Sequence, residues 1–69
     1  MMTFDEYKNQ IIKSLKDDYN IEDSYINKLD EDIKKSYDDG IVASELLGSN
    51  QISPGGYCYG ISMMYPDLP

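Results

Sequence analysis

The sequence predicts an all-α protein, a small helical domain in which an antiparallel helical hairpin is followed by one or two short C-terminal helices. Three observations predict this fold. Apolar residues recur every three or four positions in the first half of the chain, as on one face of a helix. Helix start and stop signals bound each of these segments. A length of 69 residues allows a single domain, covering residues 1–69.

The first helix is predicted over residues 4–18. Thr3 and Glu6 have the spacing of a capping box, in which each side chain bonds the other residue's backbone amide. Asn20 readily adopts the left-handed conformation that ends a helix. The apolar residues that follow the cap share one face, and they are Phe4, Tyr7, Ile11, Ile12, Leu15 and Tyr19.

The second helix is predicted over residues 23–38. It begins near "EDS", whose oxygens can accept hydrogen bonds from the first amides, and Gly40 is a natural stop. Two amphipathic helices joined by a short link are expected to pair antiparallel as a hairpin. The apolar residues at helical spacing are Ile26, Leu29, Ile33 and Tyr37.

Two shorter helices are predicted in the last third of the chain. "IVASELL" predicts a helix over residues 42–47 that Gly48 closes, and Ser53 followed by Pro54 is typical of a helix start. Pro66 is a strong stop, so the last helix is predicted over residues 54–65. Its glycines weaken a helix, and "YCYGISMMY" also fits a strand. We prefer a helix because both boundary signals agree.

The charge of the chain disfavours some partners. Thirteen acidic residues against six lysines give a net charge of −7, with no arginine. Nucleic acid and anionic lipid both require positive charge on a binding protein, so neither is expected as a direct partner. An anionic protein is instead attracted to basic grooves on other proteins. The simpler interpretation of the charge is solubility.

The chain is expected to be cytoplasmic and not embedded in a membrane. Its start, "MMTFDEYKNQ", lacks the basic and apolar segments of a signal peptide. The segment from Leu46 to Pro66 has no charge, but glycine, proline and amide residues interrupt it too often for a transmembrane helix.

The composition predicts a non-enzymatic protein without a cofactor or a metal. There is no histidine and no arginine, so the commonest general base and a common anion clamp are missing. Cys58 lacks a base to activate it, and we expect a small buried hydrophobic residue there. "GGYCYG" lacks the lysine of a phosphate-binding loop, and "LDEDIKKSYDDG" fits no register of a calcium-binding EF-hand loop.

One candidate protein-binding site is acidic. Its residues lie in the second predicted helix and the turn after it, where rows of carboxylates could resemble the phosphates of a duplex. Adjacent helical residues point about 100° apart, so each acidic doublet divides between two faces. Solvation of a helix face is the alternative interpretation. The candidate residues are Asp30, Glu31, Asp32, Asp38 and Asp39.

A second candidate protein-binding site is the uncharged tail. Gly56 and Gly60 lie four residues apart, a spacing that allows close approach of another helix. For Tyr57, Ile61 and Met64, packing in the core and contact with a partner are equally good interpretations. For Tyr59 and Met63, which lie off that stripe, contact with a partner is the better interpretation. The candidate residues are Tyr57, Tyr59, Met63 and Tyr65.

"TFDEYK", "SYDDG" and "YGISMMYP" together resemble, in size and style, the short acidic helical proteins of phages and other mobile elements of Gram-positive bacteria. Some proteins of that kind inhibit host defence systems, anti-CRISPR proteins among them. The resemblance implies an inhibitor that presents an acidic helical surface to the basic nucleic-acid-binding groove of a larger host protein. The alternative is a small homo-oligomeric structural or assembly protein that self-associates, as a homodimer for example, through its Tyr/Met-rich tail.

Overall fold

The structure is a computed structural model that describes residues 2–48 and 52–65. Helices form nearly all of these two ranges. No strand occurs in these two ranges, so the all-α prediction is confirmed. The helices are α1 (Phe4–Asp17), α2 (Asp23–Ile26), a 3₁₀ turn (Asn27–Leu29), α3 (Asp30–Leu47) and α4 (Pro54–Met64).

The start of α1 follows the sequence signals closely. The Glu6 amide donates to Thr3 Oγ1 at 3.2 Å, and the Thr3 amide donates to Glu6 Oε1 at 3.1 Å, which completes the capping box. The hydrogen bond from the Thr3 amide, and then that from its hydroxyl, lower the pKa of the Glu6 carboxyl. Asn20 has a φ of 56°, the left-handed conformation expected after this helix.

The middle of the chain differs from the prediction. Residues 23–38 do not form one helix, because the 3₁₀ turn follows α2 and α3 begins only at Asp30. Gly40 does not end α3, so residues 42–47 are its last turns and not a separate helix. The glycine serves packing, since a Cβ built there would lie 2.8 Å from Ile52 Cγ2. Gly48, with a φ of 69°, ends α3 as predicted.

The last described element is a helix, so the strand interpretation of "YCYGISMMY" is wrong. Pro54 occupies the first turn of α4 after Ser53, but the Ser53 side chain makes no capping hydrogen bond. The predicted stop at Pro66 lies outside the described residues.

The core lies between α1, α3 and α4. α1 contacts both other long helices, and its contact with α4 is the more extensive. Three helices therefore share this core, and the antiparallel pairing of a two-helix hairpin stays a prediction. Among the described residues, no helix is long and apolar enough to cross a bilayer. The buried apolar side chains are Tyr7, Ile11, Leu15, Ile21, Ile26, Leu29, Ile33, Tyr37, Cys58 and Ile61.

Candidate protein-binding surfaces

The acidic residues of α3 lie on the protein surface above the core residues Ile33 and Tyr37. Three of them form ion pairs with lysines, at Oδ to Nζ distances of 3.1 to 3.3 Å. Ion pairs this exposed typically contribute only about 0 to 1 kcal/mol to folding. Their carboxylates therefore remain accessible to a partner. The pairs are Asp30 with Lys8, Asp38 with Lys34, and Asp39 with Lys35.

The structure brings together two candidate residues that the sequence placed in separate sites. The Tyr57 hydroxyl of α4 donates to Asp32 Oδ2 of α3 at 2.6 Å. Burial, and then this hydrogen bond, raise the pKa of the half-buried Tyr57 well above its ordinary value. Both groups thus join α4 to α3. Among the described residues, Glu31 has neither an ion pair nor a hydrogen bond.

Exposed acidic residues in the first part of α3 are followed by exposed apolar residues on the same side of the helix. Asp38 and Asp39 are followed, four and three positions later, by Val42, and Leu46 lies one turn further on. Residues at these spacings are neighbours on a helix surface. Val42 is 56% exposed and Leu46 is 82% exposed. We call Glu31, Asp38, Asp39, Val42 and Leu46 the α3 ridge.

The apolar end of the α3 ridge was not predicted from the sequence. The spacing of Val42 and Leu46 by one turn was the available signal. The predicted helix stop at Gly40 made this signal difficult to recognise, because it placed Val42 and Leu46 in a different helix from the acidic residues. A continuous α3 instead aligns them with Asp38 and Asp39.

An open groove runs beside the α3 ridge, between α1 and α3, with a volume of about 570 Å³. The half-buried Phe4 ring lies in its lining, and Lys34 Nζ lies 5.0 Å from the centre of that ring. The rest of the lining is charged and consists of four carboxylates and three lysines. The ion pair of Lys8 with Asp30 is among these groups. A partner that covers the ridge could therefore also reach an aromatic ring.

One side of α4 belongs to the core. Cys58 is buried, as predicted, with its thiol 3.8 Å from the Ile11 carbonyl oxygen, and burial raises its pKa. Ile61 is also buried, and the Tyr65 ring meets the Tyr25 ring edge to face at 4.8 Å. Met64, for which a core position was one interpretation, is 54% exposed, and Cys58 supplies the core contact instead.

The opposite side of α4 is uncharged and exposed. Tyr59 and Met63 are 61% and 62% exposed, as expected for residues off the buried stripe. Gly56 and Gly60 alternate with them on the same side, and a Cβ built at either glycine would meet no atom within 4 Å. We call these four residues the outer face of α4.

No significant similarity relates the chain to a protein-family model, a curated protein or a solved structure. Within the described ranges, no three His, Cys, Asp or Glu side chains are grouped so as to hold a metal ion. The surfaces above are therefore interpreted from their own chemistry.

Proposed function

We propose that the protein is a non-enzymatic protein-binding module that places the α3 ridge against a basic groove on a larger protein. The proposal is supported above all by one observation: the exposed apolar residues Val42 and Leu46 lie on the same side of α3 as Asp38 and Asp39, in the next turns of the helix. Solubility explains surface carboxylates, but it does not explain large apolar side chains exposed in line with them.

The two ends of the ridge make different contributions to binding. Glu31, Asp38 and Asp39 add to the overall charge of −7 and steer the protein towards positive potential, which raises the association rate. Val42 and Leu46 bury apolar area, which slows dissociation. The complementary surface is a groove with lysine or arginine at its rim and an apolar pocket at one end.

A groove with a basic rim is typical of proteins that hold nucleic acid through its phosphates. A module that occupies such a groove excludes the nucleic acid, so the proposed outcome of binding is inhibition. The resemblance to short acidic proteins of mobile elements supports a host defence protein in the cytoplasm as the target.

The test compares two variants with the same change in net charge. In the first, Glu31, Asp38 and Asp39 are changed to lysine. In the control, three acids near the end of α1 and the following turn, Asp17, Asp18 and Glu22, are changed to lysine. All six side chains are exposed. Each protein is used to capture partners from a Gram-positive bacterial lysate, and the affinity of the purified captured protein is then measured.

We expect the ridge variant to bind at least about tenfold more weakly than the control variant, with both folds intact by circular dichroism. Binding of the parent protein should weaken as salt rises, because salt screens charges on the surface. Equal losses in the two variants would mean that overall charge, and not the α3 ridge, determines binding, and would contradict the proposal.

A further inference from the structure

The outer face of α4 contains glycines that the fold of one chain does not require. Neither Gly56 nor Gly60 has a positive φ, and both face open space. Glycine inside a helix is less stable than alanine by about 0.5 to 1 kcal/mol. Alanine at both positions would therefore give a more stable isolated chain. A contact outside the chain would explain the glycines.

The large and small residues of this face complement each other. The residues follow one another along α4 in the order Gly56, Tyr59, Gly60, Met63. Gly56 and Met63 are therefore equally far from the midpoint between residues 59 and 60. If a second α4 packs antiparallel about a two-fold axis at that centre, Met63 of each copy lies opposite Gly56 of the other. Tyr59 and Gly60 of both copies meet around the axis, where the missing side chains leave room for two rings.

Charge limits the surfaces on which a second copy could bind. Two copies with a charge of −7 each repel one another, and their contact must avoid the acidic surfaces. From Leu46 to Pro66 the chain has no charged residue, and α4 lies within this segment. The outer face of α4 is thus a place where two copies can meet without opposing like charges.

We propose that the outer face of α4 is an isologous dimer interface, in which two α4 helices pack antiparallel with Tyr59 and Met63 of each copy over the glycines of the other. A symmetric dimer would present two α3 ridges, so this inference goes beyond the single-ridge module proposed above. It does not depend on that module being correct.

The dimer is expected to be weak. α4 has 11 residues and is about 16 Å long at about 1.5 Å per residue. One helix pair of this length buries much less than the roughly 800 Å² per partner of a standard interface. We therefore expect a reversible equilibrium between monomer and dimer at concentrations of about 10 µM to about 1 mM.

Sedimentation equilibrium of the full chain over this range tests the proposal. The parent protein should show a monomer–dimer equilibrium, and Met63→Asp should shift it to monomer. Leu47→Asp is the matched control, because it introduces the same charge at an exposed apolar side chain of α3 that lies outside the α3 ridge. It should dimerise like the parent protein. Raising the salt concentration should strengthen the dimer, since it screens the repulsion between copies.

A second variant covers the possibility that Met63→Asp disturbs the fold. Gly56→Ala with Gly60→Ala should fold at least as well as the parent protein, because alanine favours the helix. The added methyl groups occupy the space that Tyr59 and Met63 of the other copy require. We expect the dimer dissociation constant to rise at least about tenfold.

Three results would overturn the dimer. They are a parent protein that is monomeric throughout the concentration range, an equal loss of dimer in Met63→Asp and Leu47→Asp, or a double alanine variant that dimerises like the parent. None of these results concerns the α3 ridge, whose own test measures binding to a different protein. Failure of one proposal is therefore distinguishable from failure of the other.

Discussion

α1 and α4 pack on each other in the core, but their exposed sides differ. The exposed side of α1 is charged, with Asp5, Lys13 and Asp17 among its residues. The exposed side of α4 carries no charge, and three large side chains of this helix, Tyr59, Met63 and Met64, are more than half exposed. Water solvates the first surface well, whereas the second exposes an aromatic ring and a thioether chain to it.

The two helices also differ in how far their residues favour the fold. In α1, the capping box, the apolar stripe and the charged opposite side all favour the same helix. In α4, the start signal and the buried stripe favour the helix, but the glycines weaken it. Local choices that oppose stability are expected at functional surfaces. The predictions below test this contrast between the two helices.

The largest effect is expected from truncating a buried residue of α1. Leu15 has 0% exposure, so Leu15→Ala should lower the free energy of unfolding by about 2 to 5 kcal/mol. Met63→Ala on the outer face of α4 should change it by less than about 0.5 kcal/mol. Urea unfolding at low protein concentration measures both. Similar losses in the two variants would show that Met63 belongs to the core.

Alanine substitutions at glycine should have opposite signs in α3 and α4. Gly40→Ala places a methyl group 2.8 Å from Ile52 Cγ2, and the strain should destabilise the fold by about 1 to 3 kcal/mol. Gly60→Ala meets no atom within 4 Å and should stabilise it by about 0.5 to 1 kcal/mol. Thermal unfolding of dilute samples distinguishes these. Destabilisation by Gly60→Ala would mean that the chain itself requires this glycine.

The two helix starts should respond differently to loss of a hydroxyl. Thr3→Ala removes the capping bond to the Glu6 amide and should reduce stability by about 1 kcal/mol. Ser53 makes no such bond at the start of α4, so Ser53→Ala should change stability by only a few tenths of a kcal/mol. Urea midpoints of the two variants give the comparison. A loss at Ser53 as large as that at Thr3 would indicate a capping bond in solution.

Titration of Glu6 and Cys58 should have the smallest effect on the free energy of unfolding near neutral pH. The contribution of α1 should be lost at acid pH and that of α4 at alkaline pH. The pKa of Glu6 in α1 is lowered on folding, so its contribution is present above about 4.5 and is lost as the pH falls. The pKa of Cys58 in α4 is raised by burial. Its contribution is present below 9.0 and is lost as the pH rises, because the unfolded chain then releases the proton first.

Stability measured against pH for the parent, Glu6→Gln and Cys58→Ala checks these two contributions. Glu6→Gln should flatten the acid side of the profile, and Cys58→Ala should flatten part of the alkaline side. Unchanged slopes in either variant would contradict the corresponding assignment.

The sequence predicted those features that depend on neighbouring residues. The cap at Thr3, the left-handed Asn20 and the stop at Gly48 follow from local backbone chemistry, and all three are confirmed. Gly40 was interpreted as a stop for the same local reason, and that prediction was wrong. Its role depends on Ile52, which is distant in sequence and packs against it.

The candidate surfaces were predictable to a similar extent. Exposure of Tyr59 and Met63 followed from helical spacing alone. The hydrogen bond between Tyr57 and Asp32 could not be predicted, because it joins residues 25 positions apart that only the tertiary fold brings together. The alignment of Val42 with the acidic residues required the true length of α3, which continues through Gly40 to Leu47.

The most direct test of the contrast between α1 and α4 is a dilution series followed by nuclear magnetic resonance. Amide shifts of the ¹⁵N-labelled protein would be recorded from about 1 mM to about 20 µM, where a weak dimer dissociates. We predict concentration-dependent shifts at Gly56, Tyr59, Gly60 and Met63, and constant shifts on the exposed side of α1. Constant shifts throughout α4, or shifts of equal size on both helices, would contradict the proposed role of the outer face of α4.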